Sequence, residues 1–518
     1  YQNYADFPMI SDDEVSRQIL DAAARLAELA EDTTLEAGLN RRTMDPLHAY
    51  EEGINQEALM LWWRYGDPVY FERCLLAAKS LPALTTVTDL GHRHFKNQDC
   101  GAEDLRIDRP LGHDGHAHPL MLHPAFEVAW YNGSPQVIEF LREWANGWLE
   151  HQQPGDYATM IDVVTEEVIA THKTRPLYGG YGSQASAFMF MYYITGDAKY
   201  LRPFTDHYAR GEAPYPSEKR LYELYQAGAL DDYPEQHVKL AERSELMMTM
   251  LTGDKTPLID GLKSDIAEMQ RFRHMYTTAE QFTDRIFLSA ITRAANCYCG
   301  GYASRNKFDH RHACSWEGLG TDFAALVLTA RPERFKALVY NFADEPITGN
   351  LRLWTLRHGV YSMTLGPDAD GDDNADSLTR ERSVEIARAT RVAIELPAGE
   401  VTVIELTRTQ ELEPITGRPD LALSELDTVI EGGAVSGFVH NIGEASAAEC
   451  EIALFAADGT SAGSISLGEV SGIEGLEPVR IPYRFADLPD DLTGWRVVVD
   501  PGDRVTEICE DNNETALP

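Results

Sequence analysis

The chain has 518 residues, 43% hydrophobic and 9% aromatic, a globular composition with length enough for two to four domains. Its 83 Asp and Glu against 45 Lys and Arg leave a formal net charge of −38, which argues against general nucleic-acid binding. No run of ~18 apolar residues is present, so no membrane span is expected; Tyr1-Gln2-Asn3-Tyr4 is neither an initiator Met nor a basic-then-apolar leader, as in a processed or truncated chain.

In chain order, Ser11-Asp12-Asp13-Glu14 reads as a capping box before a helix with Val15, Ile19, Ala22, Leu26 and Leu29 on one face. A helix–turn–helix pattern then recurs four times, around Gly66-Asp67, Gly133-Ser134, Gly196-Asp197 and Gly253-Asp254, with glycines 67, 63 and 57 residues apart. Each Gly can end a helix in the left-handed conformation, and the Asp or Ser after it can cap the next helix. The following helices carry the required stripes: Phe71, Cys74, Leu75 and Ala78, then Val137, Phe140, Leu141, Trp144 and Trp148.

Residues 1–330 are therefore expected to be helical hairpins. From 331 to 410 the period becomes two, through Phe335, Ala337 and Val339, then Val392, Ile394 and Leu396, then Val401 and Val403, with a turn at Pro397-Ala398-Gly399. Residues 411–418 form a linker, and residues 419–518 a last β-unit. With Arg418 that unit holds 20 acidic and 5 basic residues, which makes a polyanion-gripping role for it unfavourable. Ten of the 45 basic residues are Lys, the last being Lys336. This carboxylate-and-guanidinium surface reads as adaptation to salty surroundings or as that of an acidic extracellular protein, and an anionic substrate would need a locally basic cleft.

Repeated helix–Gly-Asp–helix hairpins followed by a β-sandwich resemble the α/α-toroid carbohydrate-active enzymes, particularly the toroid polysaccharide lyases. The fold class implied for residues 1–409 is a complete or incomplete (α/α)n toroid followed by an antiparallel β-sandwich. Pro419-Asp420-Leu421-Ala422, Gly437-Phe438-Val439-His440-Asn441-Ile442-Gly443 and Val499-Asp500-Pro501-Gly502-Asp503-Arg504-Val505, with Glu507 and Asp511-Asn512-Asn513-Glu514, resemble CARDB, the cell-adhesion-related Ig-like domain of bacteria. That resemblance implies a secreted or cell-surface protein, with surface or glycan contacts through the C-terminal domain.

Three clusters carry candidate chemistry. The first is His113, His116, His118 and His123, four His within eleven positions, with His92, Arg93 and His94 upstream. The second, Tyr178-Gly179-Gly180-Tyr181 with Gln184, surrounds two tyrosines by glycines that permit close backbone approach. The third, His48 to Gln56, offers the amides of Asn55 and Gln56. Counting 15 residues back from the four turn glycines gives Glu51, His118, Tyr181 and Val238, which ties the clusters to the repeat.

These residue types fit β-elimination on a uronic-acid polymer. Cationic or amide groups (Asn55, Gln56, Arg93, His94, His113, His123, Gln184) neutralise the carboxylate and acidify the C5 proton; His116 or His118 removes it; Tyr181, with Tyr178 in reserve, protonates the leaving oxygen. A His/Tyr pair is what the toroid-lyase resemblance implies. The alternatives are a toroid glycoside hydrolase using paired carboxylates among Glu51, Glu52, Asp114 and Glu127, and a non-catalytic glycan-binding or adhesion protein. The expected partner is an anionic polysaccharide.

The elimination chemistry requires no cofactor. Zinc is nonetheless chemically compatible with His92-x-His94 together with His113, His116 and His118, and with Cys297-x-Cys299, His310, His312 and Cys314, where packing or a disulfide is the simpler reading. Ca²⁺ is compatible with the acidic loop Asp368–Asp376, which lacks full EF-hand spacing and reads first as a solvated loop. Cys450 and Cys509 lie in one β-unit and would be partners for a disulfide in an exported chain.

Overall fold

A computed structural model describes residues 9–10, 14–29, 35–50, 55–152, 156–171, 173–174, 181–208, 218–242, 244–272, 288–301 and 312–517. It is a multidomain α plus β protein whose chain divides into two compact units, residues 27–200 with 415–518 and residues 1–26 with 201–414. The predicted first helix is α1 (Glu14–Leu29); its expected capping box, 11–13, lies outside the described residues.

In the unit containing residues 27–200, a short ladder of β1 (Leu35–Glu36) and β2 (Leu39–Asn40) leads into α2 (Pro46–Ala49), α3 (Asn55–Trp63) and α4 (Pro68–Leu84). Asp67 caps α4, its carboxylate accepting from the Val69 N–H at 2.9 Å. The hairpin β3 (Thr85–Val87) and β4 (Arg93–Phe95) follows, and then β5 (His113–Gly115), α5 (His123–Asn132), α6 (Pro135–Glu150), β6 (Ala158–Asp162), β7 (Val168–Thr171) and α7 (Tyr181–Thr195). Strands β5, β6 and β7 form one antiparallel sheet. Short strands thus interrupt the helical hairpins, at segments of three to five residues too brief to show a period.

Gly66, Gly133, Gly196 and Gly253 all have φ between +69° and +86°. The left-handed helix stop expected at each repeat is therefore present, and no other residue type adopts it without cost. The α4 and α6 stripes are buried as expected.

The other unit continues with α8 (Arg202–Tyr208), α9 (Glu218–Gln226), α10 (Pro234–Ala241), α11 (Glu245–Thr252), α12 (Thr256–Phe272) and α13 (Leu288–Cys299). An antiparallel sandwich follows. One sheet orders β13-β12-β15-β10-β9 and the other β14-β11-β8, with β8 (Cys314–Glu317), β9 (Phe323–Arg331), β10 (Arg334–Asn341), β11 (Ile347–Leu353), β12 (Gly359–Pro367), β13 (Arg380–Ile386), β14 (Thr390–Leu396) and β15 (Val401–Glu411). The turn at Gly399 carries the chain from one sheet to the other, and the inward residues of both sheets, among them Trp316, Phe335, Tyr361 and Ile394, make the core.

The C-terminal segment is a second sandwich, of β16 (Leu421–Ala422), β17 (Val429–Glu431), β18 (Ala434–Asn441) and β21 (Val479–Phe485) against β19 (Ala447–Phe455), β20 (Ser461–Val470), β22 (Arg496–Val499) and β23 (Glu514–Ala516). It belongs to the same compact unit as the first hairpins and rests on their Gly turns. Asn512 Nδ2 donates to the Gly66 carbonyl at 3.0 Å, Ser424 meets the Asp67 carboxylate, and the Tyr131 hydroxyl donates to Asp420 at 2.6 Å. A side chain on Gly133 would run into Thr416.

His440 is fully buried there between Glu72 (2.6 Å) and Asp427 (2.7 Å), and Arg480 also binds Glu72. Burial alone would lower the His440 pKa, but the hydrogen bonds with Asp427 and Glu72 raise it. Burial raises the pKa of Asp67 to about 6, of Asp420 to about 7 and of Glu507 to about 9. All four groups bind protons more tightly folded than unfolded, so their contributions are complete below the unfolded values and fade as pH rises through the folded ones. Calorimetry from pH 6 to 9 is expected to give a falling melting midpoint, and His440→Ala, which takes one partner each from Glu72 and Asp427, to cost ~2 kcal/mol at pH 6. A midpoint that is flat over this range contradicts the assignment.

All seven cysteines are buried. Cys450 is a thiol, contrary to the disulfide with Cys509 weighed for an exported chain. No described helix is long and apolar enough to cross a membrane.

Candidate functional site

Asp114, on β5, is a fully buried hub. Its carboxylate accepts from His94 Nδ1 (3.0 Å), His118 Nδ1 (2.5 Å), the Phe95 N–H (3.2 Å) and Trp148 Nε1 (3.1 Å). Burial alone would raise its pKa, yet the charges and hydrogen bonds of His118 and His94 hold it well below the usual carboxylate range. Asp114 is therefore an ionised acceptor with its lone pairs occupied, a poor general acid.

The hub corrects two sequence expectations. His118, expected as a base, is fully buried; Nδ1 is held by Asp114 and Nε2 by the Gln98 carbonyl at 3.1 Å, so neither nitrogen is free to lift a substrate proton. Arg93, expected to hold a substrate carboxylate, spends its guanidinium on Glu143 (2.7 Å) and Thr85 (2.9 Å) and lies over Phe140. His116 is half-buried after β5, its N–H donating to the Thr159 carbonyl at 2.9 Å. Burial, with the neighbouring His118, keeps its imidazole pKa below the ordinary value and so favours the neutral form, although hydrogen bonding to the Thr159 main chain acts the other way. His113 is half-buried on the same strand, opposite Asp162.

Two constellations were not assembled by the sequence reading. In the first, His92, His94, His151 and Glu166 gather one ligand atom each within 4.8 Å of one another. The imidazoles of His92, His94 and His151 are mutual neighbours, with ring centroids 5.8–6.4 Å apart. His92 comes from the β3–β4 hairpin, His94 from β4, His151 from the C-cap of α6 and Glu166 from the β6–β7 turn. Glu166 has φ +56°, a strained left-handed setting for a residue with a side chain, and its buried carboxylate meets His92 Nδ1 at 2.7 Å and His151 Nε2 at 3.3 Å.

The second is a buried relay. The Tyr50 hydroxyl lies 3.1 Å from His123 Nδ1, His123 Nε2 lies 3.1 Å from Glu127 Oε1, and Trp62 Nε1 donates to Glu127 Oε2 at 3.0 Å. Glu127 can only accept, so it fixes the proton of His123 on Nε2 and leaves the Nδ1 lone pair to accept from Tyr50. One turn of α5 separates His123 from Glu127, which is why they meet. On α7, Gln184 is fully buried and neither end of its amide has a partner among the described residues.

Tyr178, Glu51 and Glu52 lie outside the described residues, as do the side chains of Tyr181, Asn55 and Gln56. Cys297, Cys299, Cys314 and His312 are buried in packing, and His310 is outside the described residues. In the acidic loop, Asp368 accepts from the Gly371 and Asp373 N–H groups and Asp376 from that of Ala369, so the carboxylates fold their own turn.

A family model for CARDB matches residues 428–517, within the C-terminal sandwich. That segment is a CARDB domain. It accounts for the acidic β-unit expected from residue 419 onward and leaves the helical part and the first sandwich outside the match. No curated protein matches the chain. Among solved structures, one similarity is to a β-porphyranase of glycoside hydrolase family 86 from the human gut bacterium Bacteroides plebeius, at 10% identity and a TM-score of 0.10, covering 31% of each chain. The chain thus spans about a third of that enzyme, a likeness too slight to fix fold or activity.

Proposed function

We propose that this chain is an exported enzyme that cleaves an acidic, uronic-acid-containing polysaccharide by β-elimination, its helical hairpins being part of an α/α-toroid and its CARDB domain an appendage for surface or glycan contacts. The domain division at 330, 410 and 418 belongs to this reading. The observation that carries it is the Tyr50–His123–Glu127 relay, a tyrosine hydroxyl hydrogen-bonded to an imidazole whose tautomer a buried glutamate sets.

In this mechanism His123 draws the Tyr50 proton, and the tyrosinate, fully buried until the substrate opens a way to it, removes the proton at C5 of the uronate. The C5 electrons form the C4=C5 double bond, the C4–O bond breaks, and the glycosidic oxygen leaves with a proton returned by the same pair. Amides neutralise the uronate carboxylate: Gln184 with its unpartnered buried group, and Asn55 and Gln56 from the neighbouring cluster. His116, with Tyr181 and Tyr178, completes the set of proposed acid–base residues.

The hydrolase alternative draws less support, because Asp114 and Glu127 are both committed as acceptors. Incubation with a panel of uronic-acid polysaccharides, at moderate and high salt, is expected to raise near-ultraviolet absorbance in step with reducing ends. Reducing ends without absorbance would replace elimination by hydrolysis.

A further inference from the structure

We propose that His92, His94, His151 and Glu166 form a binding site for one divalent transition-metal ion, Zn²⁺ by ligand chemistry. Three imidazoles and one carboxylate are a nitrogen-rich, borderline-soft donor set of the number zinc takes, and such a set disfavours Ca²⁺ and Mg²⁺, which prefer oxygen. The donor atoms lie within 4.8 Å of one another, and a tetrahedral zinc would draw them to about 3.3 Å apart.

Three separate observations point to an ion. His94 is fully buried, and its Nε2 has no partner among the described residues, an orphaned polar atom that costs free energy unless something binds it. Its other nitrogen is held by Asp114 at 3.0 Å, and His92 Nε2 is likewise held by Glu150 at 3.2 Å. A carboxylate on the outward nitrogen of a ligand histidine fixes its tautomer and strengthens the inward donor. Finally, Gly147 sits inside α6, where glycine weakens a helix by ~1 kcal/mol against alanine. A Cβ there would lie 3.4 Å from His94 Nε2 and 3.0 Å from His92 Cβ, so the glycine keeps open the space beside the orphaned nitrogen.

An ion held this way would tie together the β3–β4 hairpin, the end of α6 and the β6–β7 turn. The site does not depend on the glycan reading, since it is argued from this cluster alone.

The test uses the full chain, stripped with a chelator and titrated with Zn²⁺ against a chromophoric competitor, in excess Mg²⁺ to occupy the acidic surface. One tight equivalent is expected, and Co²⁺ in its place should give the intense visible bands of a four-coordinate site. His94→Ala and His151→Ala should each weaken binding at least 100-fold, and Gly147→Ala at least 10-fold, with far-ultraviolet circular dichroism reporting folding. Should His94→Ala fail to fold, His151→Ala, on the outer side of the cluster, carries the test. Absence of a stoichiometric Zn²⁺ equivalent, or its retention in folded His151→Ala and Gly147→Ala, overturns the proposal.

Discussion

Asp114→Ala is expected to lower the stability of the unit that holds it by ~3–5 kcal/mol, or roughly 10 °C in melting midpoint. The reason is the donor set left behind. Four groups converge on this one carboxylate, two of them imidazoles that are themselves fully buried, and alanine strands all of them away from water. Asp114→Asn keeps the shape and one acceptor oxygen but removes the charge opposite His118, so it should fall between wild type and alanine. The depressed pKa fixes the pH dependence. Its stabilisation is present above the unfolded carboxylate value, near pH 4, and is lost as pH falls toward the lower folded value, so wild type should show a steep acid limb that Asp114→Asn flattens. An alanine variant that melts within a degree of wild type at neutral pH would show that the hub carries no such charge network.

The same hub shows what could be read from the sequence. The left-handed glycines were legible because a helix stop followed by a capping Asp is a local, steric requirement, met at Gly66, Gly133, Gly196 and Gly253. Sandwich strands β10, β14 and β15 were legible because burying one face forces alternation. Strand β4 was not, since three residues hold no period, and its loss hid why His94 points inward at Asp114. The histidine-rich stretch was visible by composition, but composition pairs neighbours in sequence. His118 turned out to serve Asp114, while His92 and His94 meet the ring of His151, and His92 the carboxylate of Glu166, more than 50 residues away. Two local signals were available: Gly147 between Trp144 and Trp148 in an otherwise continuous buried helical stripe, and the i, i+4 spacing of His123 and Glu127. Tyr50 carried no signal of its own, because what distinguishes it is a hydrogen bond across 73 residues.

On the polymer that the panel identifies, Tyr50→Phe and His123→Ala are each expected to lower kcat by about 10²–10⁴-fold with KM changed little. Phenylalanine keeps the ring packed and removes only the oxygen that would exchange protons with C5, so a loss confined to kcat assigns the hydroxyl to the transition state. Alanine at His123 removes the acceptor that draws the Tyr50 proton. If the two act as one unit, the double variant should be no slower than the slower single one, because either deletion already breaks the relay. Glu127→Gln is the positioning control. Its amide oxygen can still accept from His123 Nε2, so a smaller loss is expected. Full turnover by folded Tyr50→Phe would remove the relay from the reaction and return the base to His116, whose burial already favours the neutral imidazole that C5 proton abstraction needs.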